Sequence, residues 1–245
     1  MTGDGWTEAV RRQLGLGRVL PLGGPGDGVW VTESAAGAVL RRAAQGVSGV
    51  RLGGLRVALA DPSDAYVASV PAPPSALPPG PLRITAEFAA AATEPLPAAA
   101  ARLREALFTA AADRLGLVVE EVDLGVTALL DEGEAPAADS PDQEQPPAES
   151  KPPSGSGDEA QVAAAALDVP GVRRLTGALG GLGRAVHIEE SPAAQAALPR
   201  RHARVELATA REHRALDVAL AVRTAVGDAL QDHPSVAVLI TAVED

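Results

Sequence analysis

The chain has 245 residues, a net charge of −11, 21 prolines and no cysteine, a length that suits one large domain or two small ones. The missing thiols exclude disulfides, thiolate catalysis and thiolate metal sites, and agree with a reducing compartment. The apolar residues are mostly Ala, Val and Leu, with only Trp6, Trp30, Tyr66, Phe88 and Phe108 as aromatics; alanine buries little area at about 25 cal/mol per Å², so a small unit built this way is expected to gain from packing on another.

Residues 1–24 are expected to form an N-terminal arm. Trp6, Val10 and Leu14 recur at i, i+4 and i+8 beside Arg11 and Arg12, the pattern of a short amphipathic helix that can dock on the folded part or lie on a membrane surface. Asp4, Glu8, Arg11 and Arg12 stand where a signal peptide needs an apolar core. The longest nearly apolar run, Val236 to Val243, is far below the roughly 18 residues of a membrane span, so neither standard secretion nor membrane insertion is expected.

A first unit is expected over residues 25–132. A helix covers residues 34–44, and Gly49-Val50 leads into the alternating stretch Leu55 to Leu59. After a proline-rich loop from Asp61 to Pro81, Leu82 to Phe88 alternates as a strand with one buried face. Leu82, Ile84, Ala86 and Phe88 point to helices; Arg83, Thr85 and Glu87 point to water. Ala100, Leu103, Leu107 and Ala110 then recur at helical spacing between Pro97 and the stop signal Gly116, and Val122 to Leu129 closes the unit as a strand.

Residues 133–158 read as a linker. Between Asp131 and Ala160 nine acidic residues face Lys151, the only lysine, so most of the net charge sits here. With Pro136, Pro141, Pro146, Pro147, Pro152 and Pro153, this stretch lacks the apolar surface to offset its ordering entropy and is expected to be a disordered spacer. The remainder is near neutral with no basic stripe, so no nucleic-acid partner is expected.

The second unit, 159–245, repeats the order of the first. A helix over residues 159–167 precedes Val169-Pro-Gly-Val-Arg173, which matches Val47-Ser-Gly-Val-Arg51. Strands follow at Arg184 to Ile188 and His202 to Leu207, then a helix on Ala219, Val222, Val226 and Ala229. The closing strand, Val236 to Val243, aligns with Val122 to Leu129 down to the shared Thr127/Thr241 and Ala128/Ala242. The expected class is therefore α+β: two tandem two-layer units, each helix-strand-strand-helix-strand, with a small mixed sheet covered by helices on one face. In the last strand the outward positions Ala237, Leu239, Thr241 and Val243 are largely apolar. They are the candidate interface, with Trp6, Val10 and Leu14 of the arm, and are expected to be buried against the first unit or a second chain.

These features resemble the alkaline-shock (general-stress) protein family of Gram-positive bacteria: Gly28-Val-Trp-Val-Thr32, the small-residue helix through Val39 to Ala44, Gly49-Val50, the strand pair, and Gly116 to Val126 in one half; Ala163 to Leu167, Val169 to Val172 and the closing strand in the other. The resemblance covers both units and not the linker. It implies a non-enzymatic domain, cytoplasmic or at the inner face of the membrane, self-associating or binding another envelope-stress protein, with no catalytic residue to carry over. Members are usually single units, and the tandem arrangement and single lysine depart from the pattern.

The chemical signals are sparse. His187, His202, His213 and His233 all lie in the second unit, without the close pairs of a zinc site. Only His187 and His202 can share a sheet face, near Arg204, Glu189 and Glu206. The glycine runs 15–17, 23–24 and 177–183 lack Gly-Lys-Ser/Thr, and the last leads into a strand where a dinucleotide site needs a helix. No catalytic residue, cofactor or metal is expected. The expected function is that of a non-catalytic interaction or structural protein; the alternative is a regulatory module that binds a small ligand in a groove between the paired units.

Overall fold

The computed structural model describes residues 17–130, 157–178, 184–191 and 200–245. Trp6, Val10 and Leu14 of the arm, and the linker as far as residue 156, lie outside the described residues. The fold is α+β. It opens with a hairpin, β1 (Val19–Leu22) antiparallel to β2 (Val29–Thr32). There follow α1 (Glu33–Gln45), β3 (Val50–Leu59), β4 (Leu82–Ala91), α2 (Leu96–Thr109) running into a π-helical turn (Ala110–Leu115), and β5 (Val119–Leu130). After the linker come α3 (Asp158–Leu167), β6 (Val172–Leu175), β7 (Val186–Ser191), β8 (Arg200–Ala210), α4 (Ala215–Ala229) and β9 (Ser235–Glu244).

Local chemistry accounts for the boundaries. The Thr32 hydroxyl caps α1 by accepting from Ala35 N at 3.3 Å, and Glu33 sits in the first turn, where a helix N-terminus favours negative charge. Pro21 has no N–H to give, which β1 tolerates as an edge strand. The same connectivity runs through both halves. In the first, β3 pairs antiparallel with β4, and β5 lies parallel to β4 after α2. In the second, β6 and β7 both pair antiparallel with β8, and β9 lies parallel to β8 after α4. Gly53-Gly54 form a bulge inside β3; in the second half the corresponding interruption widens until β6 and β7 are separate strands.

The expectation of two small sheets, each covered on one face, is corrected in two respects. The β1–β2 hairpin belongs to the first half, yet it extends the sheet of the second, because β2 lies parallel to β9: Val29 opposite Val238, Trp30 opposite Leu239, Val31 opposite Ile240. That sheet has six strands in the order β1-β2-β9-β8-β6, with β7 also on β8, while the other has three, β3-β4-β5. β1 thus falls within residues 1–24, expected as an arm. The second correction concerns the far face of the larger sheet, which is covered in part by the loop between β3 and β4. That loop is pinned by Leu77 N to Val19 O at 2.8 Å and Ser69 N to Pro25 O at 3.0 Å.

One contiguous core runs through both halves, from Ile84, Phe88, Leu103 and Leu107 by way of Leu40 to Val222, Val226, Val238 and Ile240. Two glycines permit the close approach. At Gly116, φ is 93° and a Cβ would lie 2.5 Å from the Leu216 side chain; at Gly28, φ is 61° and a Cβ would meet Val70 and the Val236 carbonyl. Arg223 of α4 clamps the seam by donating to the carbonyls of Gly26 and Asp27, both at 2.8 Å, and of Val236 at 3.1 Å. Because the core is shared, both halves should unfold in one transition, followed by circular dichroism and by Trp fluorescence. Trp30→Ala, which empties the largest buried side chain at the seam, should lower unfolding free energy by about 3–5 kcal/mol without splitting that transition.

Candidate interaction site

Ala237, Leu239 and Thr241 lie on the face of the six-stranded sheet turned away from its helices, and all three are buried, Leu239 at 0% exposure. Their cover comes from the first half. Val19, Trp30 and Val70 close over Ala237 and Leu239 as a second, smaller core, with Ala68 and Ala76 packed at its margin. Val243, beyond the bulge in β9, is half-buried against the main core. Ala237 and Leu239 therefore join the two halves of one chain, while Val243 stays partly exposed.

The repeated threonines have a shared structural role. In both halves the last strand bulges at the same place: Val126 faces Phe88 and Ala128 faces Ala89, leaving Thr127 unpaired, while Ile240 faces Leu207 and Ala242 faces Ala208, leaving Thr241 unpaired. Each bulged threonine donates its hydroxyl proton to the carbonyl across the bulge, Thr127 to Phe88 and Thr241 to Leu207, both at 3.3 Å. Thr241 goes further. Its hydroxyl lies 2.7 Å from that of Thr176, and its carbonyl accepts from the Thr32 cap at 3.3 Å, so the buried bulge ties β6, β9 and the start of α1 together.

A polar patch occupies the β7–β8 end of the same sheet face. His187 is opposite Arg204 and Glu189 opposite His202 across the strand pair, the shared face that alternation predicts. Glu206, with 0% of its side chain exposed, accepts from Ala178 N at 2.7 Å and lies 3.8 Å from Arg204 Nε and 4.0 Å from His187 Nε2. His202 Nδ1 lies 2.9 Å from Ser235 Oγ. Burial lowers the pKa of His187 and His202 below the ordinary histidine value, with the Arg204 charge acting in the same direction. The remaining histidines stand apart. His213 packs near Gly171, and His233 holds its own turn, Nδ1 2.9 Å from Gly227 O. Among the described residues no three potential ligands converge on a metal position, and no helix is long and apolar enough to cross a membrane. Glu206 is held from two sides: a backbone N–H donates to Oε2, and the Arg204 guanidinium lies 3.8 Å from Oε1 as the countercharge.

An open strand edge lies on the first half. β5 is an edge strand, and no described strand pairs with its outer side. Register places Val122, Leu124, Val126 and Leu129 on the helix-covered face, opposite Ile84, Ala86, Phe88 and Ala90. Cover fails along the strand: Val122 is buried, Leu124 is half-buried, and Val126 and Leu129 are 45% and 59% exposed. Phe108 and Val118 are exposed as well, on α2 and just before β5. Pattern alone pointed to the other strand, because Val236 to Val243 is apolar on both faces while Val122 to Leu129 carries Asp123 and Gly125 at its outward positions. The hairpin that covers only the former was the missing information, though Val-Leu-Pro-Leu and Val-Trp-Val-Thr around Gly23 to Gly28 carried its signal.

Two outcomes check this description. Both histidines hold protons less tightly folded than unfolded, so the unfolded chain binds more protons just below pH 6.5, the ordinary histidine value. Their contribution is complete above that pH and is lost as pH falls through the interval beneath it; the urea midpoint should drop between about pH 7.5 and 5.5, and His202→Gln should flatten that slope. Thr241→Val should cost about 1–3 kcal/mol in the same assay, and Thr127→Val, at an exposed bulge, less than about 1 kcal/mol. Set against protein-family models, curated proteins and solved structures, the chain matches none.

Proposed function

We propose that this chain is a non-catalytic interaction protein that works by self-association or by binding a protein partner. The observation that carries the reading is β5, a long strand edge that no described strand pairs, with the Val122 carbonyl accepting from Arg104 Nε at 3.2 Å and Val126 and Leu129 exposed further along. Edges of this kind are usually shortened, charged or covered, because they template pairing with another chain. The buried polar patch supports the same reading from the other side: His187, Arg204 and Glu206 are engaged with one another and with backbone, an arrangement that supplies no activated nucleophile. A ligand groove between the halves is the weaker alternative, since Trp30, Val70 and Leu239 fill that seam.

The link to general or cell-envelope stress, and a cytoplasmic location extending to the inner face of the membrane, rest on the family resemblance. Capture from native cells tests the whole reading. Tagged wild-type chain should retain a defined set of proteins, its own untagged copies included, and Leu129→Lys should deplete that set severalfold, because a charge on this face opposes strand addition. Identical retention by the two overturns the use of this surface. A deletion strain as tolerant of envelope stress as its parent overturns the stress link.

A further inference from the structure

β5 and β9 close the two halves in the same way, yet their outer edges differ. β9 is filled by β2, while β5 runs 12 residues with no described partner. At 3.3–3.4 Å per residue that is about 40 Å of strand, twice the usual length, with one carbonyl, that of Val122, taken by Arg104 Nε. Its charge is one-sided. Glu120, Glu121 and Asp123 occupy the first half of the strand, and no charged residue follows from Leu124 to Leu130.

That asymmetry discriminates between ways of pairing. A parallel, in-register copy would stack carboxylate on carboxylate, Glu121 on Glu121 and Asp123 on Asp123. An antiparallel copy turning about Gly125 does the reverse. With the Thr127 bulge counted as one position, Val126 faces Leu124 of the other copy and Leu129 faces Val122, all on the helix-covered face. Asp123 then faces Ala128 and Glu121 faces Leu130, so these two carboxylates meet uncharged residues, while Glu120 sits at the second bulge of β5, at the end of the paired segment. Arg83, 2.5 Å from Glu121 and 3.4 Å from Asp123, already offsets part of the acidic half. The exposed apolar side chains find apolar partners, and two three-stranded sheets become one of six strands, the number the second half reaches through its hairpin.

We propose that the chain forms a two-fold homodimer in which the β5 strands of two copies pair antiparallel about Gly125. The inference rests on the interaction reading above and commits it to a second copy of this chain. Gly125 supplies the test, since the sequence has no cysteine and a Cβ added there meets nothing within 4 Å. Opposed residues of an antiparallel pair have Cα atoms about 4.5–5.5 Å apart, within disulfide range.

In the full chain, Gly125→Cys should give a disulfide-linked dimer on mild oxidation, whereas Gly54→Cys, on the exposed β3 edge of the same sheet, should stay unlinked. Light scattering should show wild type as a dimer and Val126→Lys, at an exposed position, with a dimer dissociation constant raised at least about tenfold. A chain that is monomeric up to about millimolar concentration overturns the dimer and leaves only a foreign partner for the interaction reading, which the capture experiment decides. A dimer that persists in Val126→Lys, with Gly125→Cys unlinked, overturns β5 pairing while self-association stands. If Gly125→Cys fails to fold, the scattering of Val126→Lys decides alone.

Discussion

The parallel contact of Val29–Val31 with Val238–Ile240 is only three residues long, but much of the molecule is positioned by it. It satisfies backbone groups of β9 that would otherwise face solvent, and it brings Trp30 over Leu239. The covering loop from Asp61 to Pro81 then has a surface to lie on, and Val70 completes a buried apolar cluster with Val19 and Ala237. Large side chains of this kind contribute about 1.5–3 kcal/mol each when fully buried. Helix α1 begins at the residue after β2, so the same contact fixes its N-terminus, where the Thr32 hydroxyl reaches both its own helix and the Thr241 carbonyl. Strand pairing, helix capping and loop docking are thus settled together.

This dependence explains which parts of the fold were legible in sequence. Leu82 to Phe88 and its helix could be read from local periodicity, because each residue's environment is set by the sheet and helix it belongs to. The turn at Gly116 was readable for the same reason. The destination of β2 was not, since nothing within residues 29–32 distinguishes pairing with β9 from pairing with β5 about a hundred residues nearer. Position decides it through non-local terms: Gly28, free of a Cβ that would strike Val70 and the Val236 carbonyl, and Arg223, reaching from α4 to three carbonyls at the crossing. The outward apolar pattern of Ala237, Leu239 and Thr241 did mark a buried face. Whether its cover came from the same chain or another was beyond a pattern that records only polarity.

The aligned threonines show what such a repeat conserves physically. Thr127 and Thr241 occupy the same bulge and make the same bond, but only Thr241 is buried among other polar groups. A bulge leaves one residue outside the ladder, and a hydroxyl that reaches the carbonyl across it restores a bond the ladder lost. In a covered strand that bond is expensive to lose; at an exposed edge water can replace it. The two halves therefore hold the same geometry under different energetic demands.

The same contrast bears on where function resides. The second half carries all four histidines and the more apolar last strand, features that suggest an active or adhesive surface, yet its apolar strand is enclosed and its buried carboxylate is held by backbone and guanidinium. The first half looks plainer in sequence and keeps a long edge that no described strand covers. Covering β9 uses up the only described hairpin that could cover either strand, so closing one half's edge leaves the other's exposed. A chain that folds by lending its hairpin to one repeat retains, in the other, a strand edge that no described strand covers.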